Sequence, residues 1–412
     1  MMQSNQNNEK WPIALLTVSL VLMASGSLRD LVTPVGYWGA WGLWAVMVFI
    51  LKQRDIRSNF LPPLWIVGAY GLLWLGMSIA AFVNKDLTTA YQSAKVAVIA
   101  VMFVAMWHLV RYVDGHRLVE VTGWAVVVIL FSLVFSRFLF PLSGNSFLIG
   151  HRESSLLASY GVLWKVGAFF LPIFLADLVV SPRLWLRNGF MIAACLFLVL
   201  IDGSRTGLLV LLAVGLGFLA VLVQRGGWPL VVRMARWLWV IPVVLFVMQV
   251  IDIWAHAGSS HPMKIIEAAW LRTVDTRLWN GDTARLRLIV DALHQILPCQ
   301  PFGCGFKATG TDIFGKGELM PVHNAYLAAF GDFGILGLTG MLGFLMAAVL
   351  PIWRVLRQGD RSAQSLFVVA ASGSALAYGM ALMFNTFTTE MSEWGYLILM
   401  LAFAWAPAKN PG

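Results

Sequence analysis

Apolar runs of membrane-crossing length fill most of this chain, and short polar connections separate them. A helix needs about 20 apolar residues to cross a bilayer. Twelve such runs can be placed, at 11–27, 34–51, 62–83, 93–111, 119–140, 160–180, 187–202, 206–224, 237–254, 333–353, 364–385 and 391–406. The arithmetic agrees: 59% of 412 residues are hydrophobic, material for about a dozen spans. Only 12% are charged, about half the share of an ordinary soluble domain. A soluble enzyme, a disordered chain and a secreted disulfide scaffold are excluded. A transmembrane β-barrel is disfavoured, because its strands alternate polar and apolar residues while these runs are continuous. The chain is predicted to be an all-α integral membrane protein of about twelve transmembrane helices, a single polytopic domain over 1–412. The segment from Met1 to Lys10 and the run after it have the form of a signal peptide. No small-residue cleavage site stands out, so the run is predicted to stay as the first helix.

An even span count puts both termini on one side. With that side as the cytoplasm, the inner segments hold 15 of the 29 Lys and Arg. These include Lys52, Arg54 and Arg57; Arg111 and Arg117; Arg183 and Arg187; Arg225, Arg233 and Arg236; and Arg354, Arg357 and Arg361. The short outer loops carry one or none. This is the positive-inside pattern. The net charge of +9 therefore reports orientation, not an affinity for nucleic acid. Residues 255–332, the one long connection, then face outward, which in a bacterium is the periplasm. A loop of that length with helices of its own is expected to be functional. Its helices are predicted at Met263 to Thr273 and Ala284 to Leu297, followed by a Gly-rich turn from Pro301 to Gly305.

Cys195 lies within a span and reads as a packing residue. Cys299 and Cys304 lie in the outer loop, an oxidising setting. A local disulfide and two free thiols are both open, since close spacing often lacks the bridge geometry.

The other 14 basic residues sit outside or at outer helix ends. Lys95, Arg137 and Lys165 fall just within spans, Arg152 in a loop, and Arg285 and Arg287 on a loop helix. Arg205 opens a span within the tight connection Asp202-Gly203-Ser204-Arg205-Thr206-Gly207. An ionisable residue in a span is costly and usually faces a cavity or a partner, although any one of these could instead snorkel to headgroups. Gathered at the outer leaflet, they suit a polyanion held there, such as a lipid-linked diphosphate. Arginine matches phosphate with its planar fork, and a helix start adds its dipole. Of the seven His, His323 stands where the outer loop re-enters the membrane, in Pro321-Val322-His323-Asn324-Ala325-Tyr326-Leu327. An interfacial His is usually only solvated. One beside a diphosphate is a candidate general base, because histidine titrates near working pH. No metal-ligand spacing is present.

Three stretches resemble the O-antigen ligase and O-antigen polymerase superfamily, polytopic membrane glycosyltransferases that use undecaprenyl-diphosphate-linked glycans. Gly203-Ser204-Arg205-Thr206-Gly207 is similar to the family's Ser-Arg turn. Thr283-Ala284-Arg285-Leu286 with Pro301-Phe302-Gly303-Cys304-Gly305-Phe306 is similar to its Arg-bearing loop helix and Pro-x-Gly-x-Gly turn. His323-Asn324-Ala325-Tyr326-Leu327 with Gly331, Gly334 and Gly337 is similar to its His-Asn-x-Tyr-Leu stretch and trailing glycines. The match covers 160–345; residues 1–150 match only as hydrophobic spans. Ala284 stands where the family has Gly, and Val290 or a neighbour where it has Trp. The resemblance implies a GT-C-like, metal-independent, cofactor-free glycosyltransferase of the bacterial inner membrane with its active site facing the periplasm. The ligase moves a glycan from undecaprenyl diphosphate to a sugar hydroxyl of lipid A–core. His323 would activate that hydroxyl, and Arg205 and Arg285 would hold the diphosphate. Arg287 would support them, with Arg152, Lys165, Arg137 and Lys95 as further cations.

An O-antigen polymerase would use the same donor. Some carry Arg-x10-Gly repeats, and none of Arg152, Arg205, Arg277, Arg285 and Arg287 has Gly eleven residues on, which favours the ligase. Protein glycosylation is disfavoured by the absence of a large C-terminal outer domain. A lipid-linked glycan transporter would place its site at the bilayer midplane between repeats. No repeat is visible here, and the cations collect at the rim.

Overall fold

The computed structural model describes residues 3–24, 28–52, 62–143, 148–149, 152–153, 155, 157, 161–202, 204–235, 283–308, 310 and 321–406. Among these the chain is almost wholly helical: α1 (Gln3–Ala24), α2 (Leu28–Leu51), α3 (Leu64–Asn84), α4 (Leu87–Val110), α5 (Gly115–Ser143), α6 (Leu163–Val180), α7 (Trp185–Asp202), α8 (Arg205–Ala235), α9 (Thr283–Ile296), α10 (Ala325–Gln358), α11 (Ala363–Ala381) and α12 (Met391–Trp405). Two-residue strands β1 (Leu148–Ile149) and β2 (Arg152–Glu153) pair antiparallel. Nine helical stretches among the described residues are long and apolar enough to cross a membrane, and Trp11–Ala24, Leu288–Cys299 and Met391–Trp405 are shorter apolar helices. The protein is thus an all-α polytopic membrane protein. Eleven of the twelve predicted runs fall on helices. The run 237–254, the predicted loop helix from Met263 to Thr273, Arg277, His151, His256 and His261 lie outside the described residues.

Several helices begin earlier than apolarity alone indicated, and caps account for two of them. The predicted span starting at 93 is α4, which starts at Leu87 because Asp86 caps it. The Asp86 carboxylate accepts the amides of Thr88 (2.9 Å) and Thr89 (3.2 Å). The span predicted from 333 belongs to α10, which starts at Ala325, so residues 325–332 of the predicted loop are helical. There Asn324 is the cap.

Close backbone approach packs the bundle. A Cβ at Gly76 of α3 would meet the Gly337 amide of α10 at 2.7 Å, and one at Gly340 would meet the Ala69 carbonyl at 2.7 Å. Small residues at such crossings let helices pack without a hydrophobic driving force between them. Cys195 is fully buried, and a Cβ at Gly167 of α6 would press on the Cys195 carbonyl of α7. An aromatic column runs through the core from Phe306 to Phe333, Phe387, Trp394, Phe344 and Tyr70. Buried hydroxyls such as Thr122 and Ser136 donate to carbonyls one turn back, which satisfies them without water. Leu43, Phe82, Phe131 and Leu216 are among many large apolar side chains left exposed, a surface suited to hydrocarbon.

At the bundle end holding the 111–117 and 181–187 turns, Asp177 is fully buried. It accepts from Asn188 Nδ2 (2.8 Å) and Arg187, with His116 Nδ1 at 3.1 Å. The ends of α5, α6 and α7 are thereby tied through one carboxylate.

Candidate functional site

The site is built at the opposite end. Asn324 Oδ1 accepts the amides of Tyr326 (3.1 Å) and Leu327 (2.9 Å), so α10 begins directly after His323. The Ala325 amide donates to the Leu382 carbonyl at 2.8 Å, and the Tyr326 hydroxyl donates to the Gly379 carbonyl at 2.8 Å. Both bonds anchor the His323 segment to the end of α11. His323 is half-buried, with Nδ1 3.1 Å from the Pro321 carbonyl. A carbonyl can only accept, so Nδ1 is the donor in this contact. This backbone contact orients the ring.

α10 is broken at Gly334 (φ 69, ψ −164), a conformation essentially confined to glycine. The break separates a short first segment, 325–333, from the longer span that follows. It also takes helical donors away from the carbonyls of Phe330, Gly331 and Asp332. The turn after α9 replaces them. Gln300 Nε2 donates to the Phe330 carbonyl (3.0 Å), the Cys304 amide to Gly331 (2.8 Å) and the Gly305 amide to Asp332 (2.9 Å). In return the Ile335 amide donates to the Pro301 carbonyl at 3.2 Å, and the Asp332 side chain accepts the Lys307 amide at 2.9 Å. Asp332 is buried. The turn is closed covalently by a Cys299–Cys304 disulfide with Cα atoms 5.1 Å apart. Gly303 and Gly305 take φ of +87° and +98° within it. We call this disulfide-closed turn the clasp.

The clasp also rests on α4, whose first turns present a polar residue every third position. From the end of α3, the Asn84 side-chain amide donates to the Gly303 carbonyl at 2.9 Å, and on α4 Thr89 Oγ1 accepts the Phe306 amide at 2.6 Å while donating to Asp86. The Thr89 hydroxyl and the Thr88 and Thr89 amides hold the Asp86 carboxyl below its ordinary range. Next along the face, Gln92 accepts the Thr389 hydroxyl, and Lys95 donates to Glu390 at 2.5 Å. Asp86, Thr89, Gln92 and Lys95 lie on one face because three residues is nearly a helical turn.

Lys95 and Lys165 carry a change from the sequence reading. Both are buried, at 7% and 6% exposure. Lys95 pairs with Glu390 and Lys165 with Glu393, so each ammonium is already neutralised by a carboxylate. The two acids occupy the cap and first turn of α12, where a helix favours negative charge. The ion pairs fasten α12 to α4 and α6. Sequence reasoning passed over Glu390 and Glu393, although two acids at the start of an apolar run are a usable signal.

Arg205 is the first residue of α8. Its turn is pinned from both sides. Buried Asp202 accepts the amides of Gly161 (2.8 Å) and Trp164 (3.3 Å), and Ser204 Oγ accepts the Gly207 amide (3.2 Å). A Cβ at Gly207 would meet the Trp164 side chain at 2.9 Å, so α8 starts tightly against α6. Arg285 and Arg287 lie in the first turns of α9, Arg137 in α5 and Arg152 in β2; their side chains and that of Arg205 lie outside the described residues. The three motif stretches, far apart in sequence, are joined by contact. Arg205 follows a turn held to α6, α6 is ion-paired to α12, α12 to α4, α4 to the clasp, and the clasp to the helix that His323 precedes. Comparison with known proteins finds no family model and no curated protein that matches the chain.

Proposed function

We propose that the protein is an O-antigen ligase, transferring a glycan from undecaprenyl diphosphate to a sugar hydroxyl of lipid A–core. The observation that carries this reading is the setting of His323. Its imidazole is oriented by the Pro321 carbonyl, ahead of a helix that the clasp joins directly to the arginine-bearing α9. In the proposed step, Nε2 of His323 takes the proton of the acceptor hydroxyl as its oxygen attacks the anomeric carbon. The anomeric carbon–oxygen bond breaks, and the diphosphate leaves against the guanidinium groups of Arg205 and Arg285, with Arg287, Arg137 and Arg152 as supporting cations. Lys95 and Lys165 are left out of the clamp because Glu390 and Glu393 compensate them. No metal takes part in this scheme.

The reading includes twelve spans in the bacterial inner membrane, both termini in the cytoplasm and the site facing the periplasm. The distribution of Lys and Arg supports that orientation. One observation weighs against a transporter. Broken transporter helices offer freed carbonyls to ions, whereas the carbonyls freed at Gly334 are taken by Gln300, Cys304 and Gly305. The test is transfer by the reconstituted protein. His323→Ala should abolish transfer while the protein stays in the membrane. Arg205→Ala and Arg285→Ala should weaken binding of the lipid diphosphate, and intact binding in either would remove that arginine from the clamp. Elongation of the lipid-linked glycan in place of core ligation would mean a polymerase.

A further inference from the structure

The clasp is a covalent ring placed at the junction of three elements. The Cys299–Cys304 bond closes it. Amides of Cys304 and Gly305 from inside or beside the ring supply two of the three replacement donors at the break of α10. The Asn84 side-chain amide holds its Gly303 to the end of α3, and the Thr89 hydroxyl holds Phe306 to α4. α9, the helix carrying Arg285 and Arg287, joins the ring through Leu297–Cys299. An open ring of the same residues would have to order a turn with two positive-φ glycines against a broken helix, with backbone entropy opposing it at about 1–2 kcal/mol per residue. The ring removes part of that freedom beforehand, as a cross-link restricts the open ensemble.

We infer that the Cys299–Cys304 pair is a substrate for a dithiol–disulfide oxidant and that closing this bond seats α9 against α10. The chemistry balances. The two thiols lose two protons and two electrons, the Sγ–Sγ bond forms, and the oxidant's own disulfide is reduced to a dithiol. Exchange proceeds through a mixed disulfide, and both cysteines are partly exposed for it. The third cysteine, Cys195, is fully buried within α7 and takes no part. This inference rests on the periplasmic placement proposed above. Its consequence is that the arginine helix and the His323 helix come into register only after oxidation, so a chain still in a reducing compartment carries an unassembled site.

The test uses the full chain in lipid nanodiscs, oxidised, reduced with a phosphine, and as Cys299→Ser/Cys304→Ser. Amide hydrogen exchange at Cys304, Gly305 and Ile335 should quicken about tenfold or more in the reduced wild type, and likewise in the serine variant at residue 304 and its two neighbours, while α3 and α11 stay unchanged. Equal exchange in open and closed forms overturns the inference. Protein made in a host lacking dithiol oxidation should show three alkylatable thiols under denaturing conditions, against one from an oxidising host; three from both overturns it. Glycan transfer read on the same samples should fall on reduction and return on reoxidation. Undiminished transfer with a fast-exchanging clasp overturns the assembly claim. If reduction opens the clasp and even the oxidised protein transfers nothing, the clasp stands and the ligase reading fails.

Discussion

Gly334→Ala is the sharpest perturbation of the clasp. The native φ of 69° and ψ of −164° lie where an L-residue costs about 1–3 kcal/mol. A Cβ built there would also overlap the Pro301 carbonyl oxygen, a backbone atom held within the disulfide ring. Relief requires that carbonyl to move, and its bond from the Ile335 amide is then lost, at a net cost of about 1 kcal/mol. Together the variant should lose about 2–4 kcal/mol of local or global stability. The control is Gly373→Ala in α11, where a Cβ meets nothing within 4 Å and φ is ordinary. There alanine should be neutral or stabilising by up to about 1 kcal/mol. Thermal unfolding of purified protein in detergent, followed by tryptophan fluorescence, compares the two. Gly334→Ala melting with the parent, or no lower than Gly373→Ala, would refute the reasoning.

Three further outcomes follow from named contacts. Lys165→Met should destabilise by about 3–5 kcal/mol, because it strands the Glu393 carboxylate; Lys165→Met/Glu393→Gln should recover most of the loss, and a single variant that melts like the parent would show that the pair does not form. Thr89→Val should cost about 1–3 kcal/mol by leaving the Phe306 amide unpaired, while Thr89→Ser keeps the bond and the melting temperature; equal melting of the two contradicts the contact. Asp86 gives a pH signature. Its folded pKa is lowered, so its stabilisation is present above the unfolded value and is lost as pH falls through the lower folded one. The parent should therefore lose stability more steeply than Asp86→Asn on acidification through and below the ordinary carboxylate range; parallel curves would count against the cap.

The apolar runs made the helices legible because hydrocarbon leaves a chain few ways to satisfy its backbone. Helix starts were less legible. The signals for α4 and α10 are caps, Asp86 before Thr88 and Thr89, and Asn324 before Tyr326 and Leu327, and hydropathy does not register a cap. His323 and Arg205 could be singled out because each sits at an abrupt polar–apolar boundary. The pairing of Lys95 with Glu390, 295 residues apart, could not, since long-range contact leaves no local pattern. The clasp was half legible. Two cysteines and a Gly-rich turn announced a tight feature, but its role in completing a broken helix depends on Gly334, one glycine among 37.

The central claim is glycosyl transfer with His323 as base. Purified protein in vesicles should be given undecaprenyl-diphosphate glycan and lipid A–core, with and without a metal chelator, and the core followed for a mass increase. The account predicts core-linked glycan from the parent with chelator present, and none from His323→Ala. Ligation by His323→Ala at the parent's rate, or movement of the lipid-linked glycan across the vesicle with no new bond, would contradict it.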